Sequence, residues 1–305
     1  MYILKNLIQT FTLTLFFISF SSAHSSPTKI AILQTTEHPA LNATHHGLLE
    51  ELQKLGYKEG ENLSVDFQSA QGNAALAAQI AQKFASTHPD VIVAIGTKAA
   101  QAAMTAAKGT EIPIVFSSVT DPVGAKLIMN LKAPEGHVTG VSNFVAVEPQ
   151  FKLFKKILPH LKILGIVYDP GEANSVALNR TMEKVAKEFD LKLVMATATK
   201  TSEVQAATQS LCGKVDAVFI NNDNTALAAF KSVVKTAEDC GIPAFVSDVD
   251  IVGEGALAAL GPDQVEVGRQ TGRMVNFILK HPKIPLPPVE FPDKTEEYVG
   301  TQKRL

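Results

Sequence analysis

The stretch FSSVTDPVGA, residues 116–125, leaves an apolar run abruptly for hydroxyls, one carboxylate and a proline. Five other stretches change character in the same way: QTTEHPAL (34–41), GTKAA (96–100), YDPGEANS (168–175), NNDNT (221–225) and SDVD (247–250). Two kinds of binding chemistry are present in them. Thr97, and Asn174 or Ser175, stand where helices begin, and the exposed backbone N–H groups of a helix start hold anions. Asp121, Asp223 and Asp248 are acceptors for a cation. Thr36 and Glu37 in the first loop, Ala99 in the second, Thr120 beside Asp121, and Ser247 in the last complete the candidates. Asp, Ser, Thr and Asn after a strand also cap helices with no ligand at all, and for a single loop that is the plainer reading. It does not explain six polar loops meeting at one cleft.

The order of elements is what makes them meet. KIAILQT, NLSVDFQ, VIVAIGT, PIVFSSV and VTGVSNF read as short buried strands, and LNATHHGLLEELQKLG and AALAAQIAQKFAS between them read as helices. Gly56 stops the first of these helices. The pattern restarts at residue 162 with KILGIVYD, KLVMATA, DAVFINND and PAFVSD, separated by helices near 174–189, 201–211 and 225–240. Such alternation predicts an α/β protein of two doubly wound parallel-sheet lobes. In these sheets ligands lie beyond the carboxyl ends of the strands, where the six loops are. The strand GALAALG and a helix over 263–280 are expected to return to the first lobe. That places 28–145 plus 252–283 in lobe 1 and 146–250 plus 286–300 in lobe 2, with crossings near 143–147, 248–252 and 285–291.

With 305 residues, 46% of them apolar, the chain can fill two cores. Its 28 basic and 30 acidic residues leave a net charge of −2, without the cationic field that nucleic acid requires. Lys5 precedes the apolar run LIQTFTLTLFFISF, and Ser21 and Ala23 stand where a signal peptidase reads. Residues 1–23 are therefore expected to be a cleaved secretory signal, the run being short for a bilayer span of about 20 residues. No cysteine adjoins the cleavage site, so a mature protein without a lipid anchor, free in the periplasm, is expected.

The stretches EHPALNATHHGLLEELQKLGYKEGENL, SVTDPVGAKL, HVTGVSN, YDPGEANS, NNDNTA and GRQTGRM together resemble the TrpX-like family of ABC-transporter substrate-binding proteins, over nearly all of 29–290. The resemblance implies the type I periplasmic-binding-protein fold, with two lobes and a hinge of three crossing strands. It implies capture of an amino acid, often aromatic, for a permease with a cytoplasmic ATPase, by a monomer without a cofactor. Carried over by position, Thr97, Thr120, Asp121, Asn174, Ser175, Asp223, Ser247 and Asp248 fall in the cleft. An α-amino acid needs anion donors on one side and a carboxylate on another. Asp121, Asp223 and Asp248 all remain candidates for its ammonium. Many relatives carry a lipid-attachment cysteine after the signal, which this chain lacks.

Other functions find less support. The sequence has no G-x-S-x-G elbow, phosphate loop or G-x-G-x-x-G fingerprint, so no enzyme is indicated. His45 and His46 are adjacent and point about 100° apart on a helix, which is not a metal pair. His38 could touch a ligand, although a lone loop histidine is more often solvated. Sugar sites commonly stack on Trp, and the chain has none. Phe116, Phe144, Tyr168 and Phe245 could line an aromatic pocket or belong to the cores. Cys212 and Cys240 each end a helix just before a glycine, on helices expected side by side. A disulfide and two buried thiols are equal alternatives there.

Overall fold

In the computed structural model, which describes residues 26–300, the apolar runs become two sheets, parallel but for one edge strand. The expected signal segment lies outside the described residues. The first lobe orders its strands β2-β1-β3-β4-β5, where β1 is Thr28–Gln34, β2 Leu63–Ser69, β3 Val91–Ile95, β4 Ile114–Ser117 and β5 Val138–Val141. Every side chain of β3 and β4 is buried, as strands covered on both faces require. Helices α2 (Ala74–Ser86) and α3 (Thr97–Ala106) cover one face around Phe84 and Phe116. Helix α1 (Pro39–Lys54) covers the other, around Leu48 and Leu52.

After β5 the chain crosses through α4 (Val147–Ile157) and repeats the scheme. Strands β6 (Ile163–Tyr168), β7 (Lys192–Thr197), β8 (Ala217–Ile220), β9 (Ala244–Val246) and β10 (Ala258–Pro262) alternate with α5 (Ala173–Ala186), α6 (Val204–Gln209), α7 (Asn224–Leu227) and α8 (Phe230–Asp239). The sheet order is β11-β10-β9-β8-β6-β7, in which β11 (Thr295–Val299) is the antiparallel edge. In each lobe the strand order therefore reverses between the first and third strands, β1 and β3 in one and β6 and β8 in the other.

Two sequence expectations need correction. Residues 258–262 stay in the second lobe, because Ala258 and Ala259 pair with Phe245 and Val246 of β9. Gly261 makes this packing tight: a Cβ there would lie 1.7 Å from the Ser247 carbonyl oxygen. The return crossing accordingly falls at 262–264 and not at 248–252, where a short 3-10 turn (Val249–Glu254) remains beside β10. Asp263 then caps α9 (Gln264–Lys280) by accepting the Glu266 N–H at 3.0 Å. Helix α9 lies on α1 almost backbone to backbone, since a Cβ on Gly268 would meet the Thr44 carbonyl oxygen at 2.1 Å and one on Gly47 the Val265 oxygen at 2.0 Å. Arg269 secures the pair to Glu50 at 2.9 Å. On the third passage Glu290 still runs beside β5, donating to the Gly140 carbonyl and accepting from the Ser142 N–H, before the chain reaches β11.

Cys212 and Cys240 form a disulfide, with α-carbons 5.5 Å apart, tying the ends of α6 and α8. It closes a loop of sequence separation 28. Reduction should therefore lower the unfolding free energy by roughly 3–4 kcal/mol. Urea unfolding with and without reductant measures this.

Candidate functional site

The carboxyl ends of the two sheets face each other across a narrow cleft, and every loop identified from the sequence borders it or stands just behind it. Beyond β1, the Thr35 hydroxyl accepts the Ala99 N–H at 3.1 Å, joining this loop to the first turn of α3. That turn needs Gly96, whose φ of +88° and lack of space beside Thr35 leave no room for a side chain. Thr97 is buried at the same turn, and the Ala99 N–H, expected for a ligand anion, is already bonded. Thr36 is buried and its carbonyl accepts from Gln34, whereas Glu37 points outward to Gln71.

Beyond β4, Ser118 holds a left-handed φ of +54°, a strain that clusters at functional sites. Its hydroxyl donates to Gln264 Oε1, and Gln264 Nε2 in turn donates to Asp248 Oδ1 at 2.6 Å, so α9 links the lobes. Thr120 donates to Asn143 Oδ1 and accepts from Asn222 of the opposite lobe. Asp121 accepts the Gly124 N–H and so pins its own turn. Ser247 donates to Asp248 Oδ2.

The second lobe supplies a denser network. Glu172, 1% exposed, accepts from the backbone N–H groups of Asn224 and Thr225, from the Thr225 hydroxyl, and from the side-chain amides of Asn174 and Asn224. Lys98 reaches across from α3 to Asp169 at 2.9 Å and to Glu172 at 3.5 Å. Burial alone would lower the Lys98 pKa, but Glu172 and Asp169 raise it, so the ammonium stays charged. Asp223 caps α7 through Ala226 and accepts the Asp169 N–H. Burial, then the neighbouring Glu172, pushes Asp223 up to about 8. Both its oxygens are thus bonded within the lobe, and it does not line the cavity. Ser175 also stands behind, donating to Asn221.

His38, Asn143, Asn174, Asn222, Asn224 and Asp248 line the cavity itself, with Ser118, Thr120 and Gln264. Its volume is about 10 Å³, room for a single water-sized group. Sequence reasoning set His38 aside as solvated, yet it is 4% exposed. Its Nε2 lies 3.2 Å from Asn224 Oδ1, and Asn224 presents that oxygen because its amide nitrogen donates to Glu172. Nε2 therefore carries the proton and Nδ1 is an acceptor. This Nδ1 has no partner, and neither has Asn174 Oδ1, whose amide nitrogen donates to Glu172 and to the Asn222 carbonyl. Buried acceptors are rarely left unpaired. Two such acceptors beside the Asp248 carboxylate suit a cationic hydrogen-bond donor.

The expected aromatics divide between core and cleft. Phe116 and Phe245 are fully buried in the lobes, and Tyr168 packs against the second core. Phe144 lines a larger recess of the cleft near the crossings. His45 is half-buried against Phe67 and His46 is exposed. Sequence reasoning missed the roles of Lys98, Asp169, Glu172, Asn222, Asn224 and Gln264. The signal was present only in NNDNT, where amides crowd one strand end.

Residues 29–295 match the family described as ABC transporter substrate binding protein. A Clostridioides difficile (strain R20291) tyrosine-binding protein is 36% identical over 267 residues, 88% of this chain and 77% of that protein. A Streptococcus pneumonia ABC domain in complex with L-Trp superposes with a TM-score of 0.86 at 30% identity, covering 91% of this chain and 93% of the other. The ligand-free, open structure of a Clostridium difficile substrate-binding protein with adhesive properties is nearer in sequence, at 37%, and poorer in superposition, at a TM-score of 0.67, over 90% and 92% of the chains. The chain thus superposes better on the L-Trp-bound structure than on the ligand-free, open one.

Burial lowers the pKa of His38, opposed by Asp248 first and then by Asn224, Glu172 and Glu254. A base whose folded pKa lies below its unfolded value of about 6.5 contributes stability at neutral pH that is lost as the pH falls through 6.5 toward the folded value. Asp223 and Asp250, raised to about 8 and about 7 by burial first, act oppositely, because protonation favours their folded state. The difference between wild type and His38→Gln isolates the histidine. Its advantage in urea-unfolding free energy should shrink between pH 7 and 5.5, by up to about 1.4 kcal/mol per pH unit.

Proposed function

Since this chain belongs to the TrpX-like family of ABC transporter substrate-binding proteins, we propose that it captures a free aromatic amino acid between its lobes and delivers it to an ABC permease driven by a cytoplasmic ATPase. Family members are extracytoplasmic solute-binding proteins and not enzymes. The finer placement is a soluble monomer in the periplasm, released when residues 1–23 are removed.

One observation carries the ligand class. His38 and Asn174, which carry the unpaired buried acceptors Nδ1 and Oδ1, line the same cavity as Asp248. An ammonium group donates to all three. That cavity holds one water-sized group, so the ligand carboxylate falls to amide and hydroxyl donors of the cleft beyond it. Of the three aspartates open from sequence, Asp248 is thus the ammonium partner, Asp223 a helix cap, and Asp121 a turn residue. The aromatic side chain rests on the relatives, one named for tyrosine binding and one solved with L-Trp.

Calorimetry with the free amino acids tests this reading. Asp248→Asn should weaken binding by about 2 to 5 kcal/mol, because the ligand ammonium would be buried without its counter-charge. Asp223→Ala should leave affinity unchanged and lower stability by about 1 to 3 kcal/mol, through the loss of two buried N–H acceptors. Equal binding of the decarboxylated amine would contradict the carboxylate half of the site, and stabilisation by sugars alone would contradict the whole.

A further inference from the structure

Among the described residues that line the polar cavity, His38 is the one that can become a cation. Its Nε2–H is committed to Asn224 Oδ1, so a second proton enters at Nδ1, the buried nitrogen that has no partner. The same cavity is lined by Asn174, with its unpaired Oδ1, and by Asp248. With a volume of about 10 Å³ it has room for one water-sized group. An imidazolium there would stand against any cation brought in by a ligand, and like charges at such close range repel strongly.

Charged groups face His38 from several elements. Burial lowers its pKa, and Asp248, beyond β9, is the strongest charge opposing that, followed by Glu172 ahead of α5 and Glu254 in the turn after Asp248. Glu172 shares Lys98 with Asp169, and Glu254 pairs with Lys231 at 3.6 Å. Asp223 caps α7 beneath Asn224, and Asp250 lies in the same turn as Glu254; burial first raises them to about 8 and about 7. In the loop of His38 itself, Glu37 turns away to Gln71. From α9 comes the neutral Gln264, while its neighbour Asp263 caps the helix. Asn224 and Asp248 belong to the second lobe and His38 to the first. Parting the lobes returns the imidazole to water, where its ordinary pKa of about 6.5 applies.

We infer that a proton on His38 Nδ1 and the ammonium of the ligand are alternative occupants of this cavity, so that acid releases the ligand. The inference rests on the amino-acid reading of the site and adds its regulation. Neutral His38 offers the ammonium an acceptor. Protonated His38 withdraws that acceptor and brings a donor and a positive charge into its place. By linkage, a bound ligand lowers the proton affinity of His38 by the same factor by which the proton lowers the affinity for ligand.

Calorimetry with L-tyrosine between pH 7.5 and 5, on wild type and His38→Gln, tests it. Over this range the amino acid keeps both its charges, and glutamine takes up no proton. Wild-type affinity should hold steady above about pH 6.5 and fall below it, by up to about tenfold per pH unit. His38→Gln, whatever its affinity at neutral pH, should not share that fall, so the ratio of the two affinities shrinks with acid. Asp223, Asp250 and the other carboxylates titrate in both proteins and drop out of the ratio. NMR of the wild-type imidazole, assigned through its own backbone, is the second measurement: its titration midpoint should move to lower pH with saturating L-tyrosine. If the variant does not fold, this shift carries the test. A ratio that stays constant with pH, or a His38 midpoint that L-tyrosine does not lower, would overturn the inference and leave the capture of an amino acid standing. Failure of the wild type to bind any free amino acid at pH 7.5 would overturn that capture and this inference together.

Discussion

The carboxylate of Glu172 orders one side of the cleft. A charge this well buried is tolerated only when it is paired and fully hydrogen-bonded. Glu172 meets that requirement by gathering Asn174, Asn224, Thr225 and, from the opposite lobe, Lys98. The consequences reach the ligand site one bond at a time. Asn224 gives its amide to Glu172, so its oxygen faces His38. His38 then keeps its proton on Nε2, which leaves Nδ1 as an acceptor. Asn174 gives its amide to the same carboxylate and leaves its oxygen unpaired. The acceptor character of the cavity is therefore set by a residue that does not line it.

In the proposed mechanism the same carboxylate couples binding to lobe movement. Lys98 retains 17% side-chain exposure, and it loses hydration to meet Asp169 and Glu172 as the lobes come together. Ion pairs of this partly buried kind return little more than their desolvation costs. Closure without ligand is then near balance, and a ligand that engages both lobes shifts it by its own differential affinity. Asp248 and Asn174 belong to one lobe and His38 to the other, so the proposed ammonium would touch both. Gln264 adds a further tie, reaching Asp248 from α9, the helix pinned to α1 through Gly47 and Gly268.

The fold was largely legible in the sequence because strand and helix periods alternate without interruption and each strand ends in a polar loop. The places of β10 and β11 were not. The close approach of Gly261 to Ser247 and the antiparallel pairing of 295–299 are long-range facts that no local period records. Within the site, Asp248, Asn174 and Thr120 were visible as polar residues after strands. His38 was underrated because a loop histidine carries no local sign of burial, and its burial here comes from the facing lobe. Asp223 and Asp248 look alike in sequence; only the N–H groups surrounding Asp223 distinguish the helix cap from the residue that lines the cavity. Lys98, Asp169 and Glu172 lay inside the quoted loops, yet their pairing spans 71 and 74 residues and emerges only when the sheets face each other.

The central claim is that an amino-acid ammonium, held by groups from both lobes, closes the cleft. Small-angle X-ray scattering of the protein with and without saturating L-tyrosine tests it most directly. The account predicts a smaller radius of gyration with the ligand, and a clear loss of that compaction in Asp248→Asn at the same ligand concentration. An unchanged radius of gyration at a ligand concentration where calorimetry shows the wild-type site filled would contradict it.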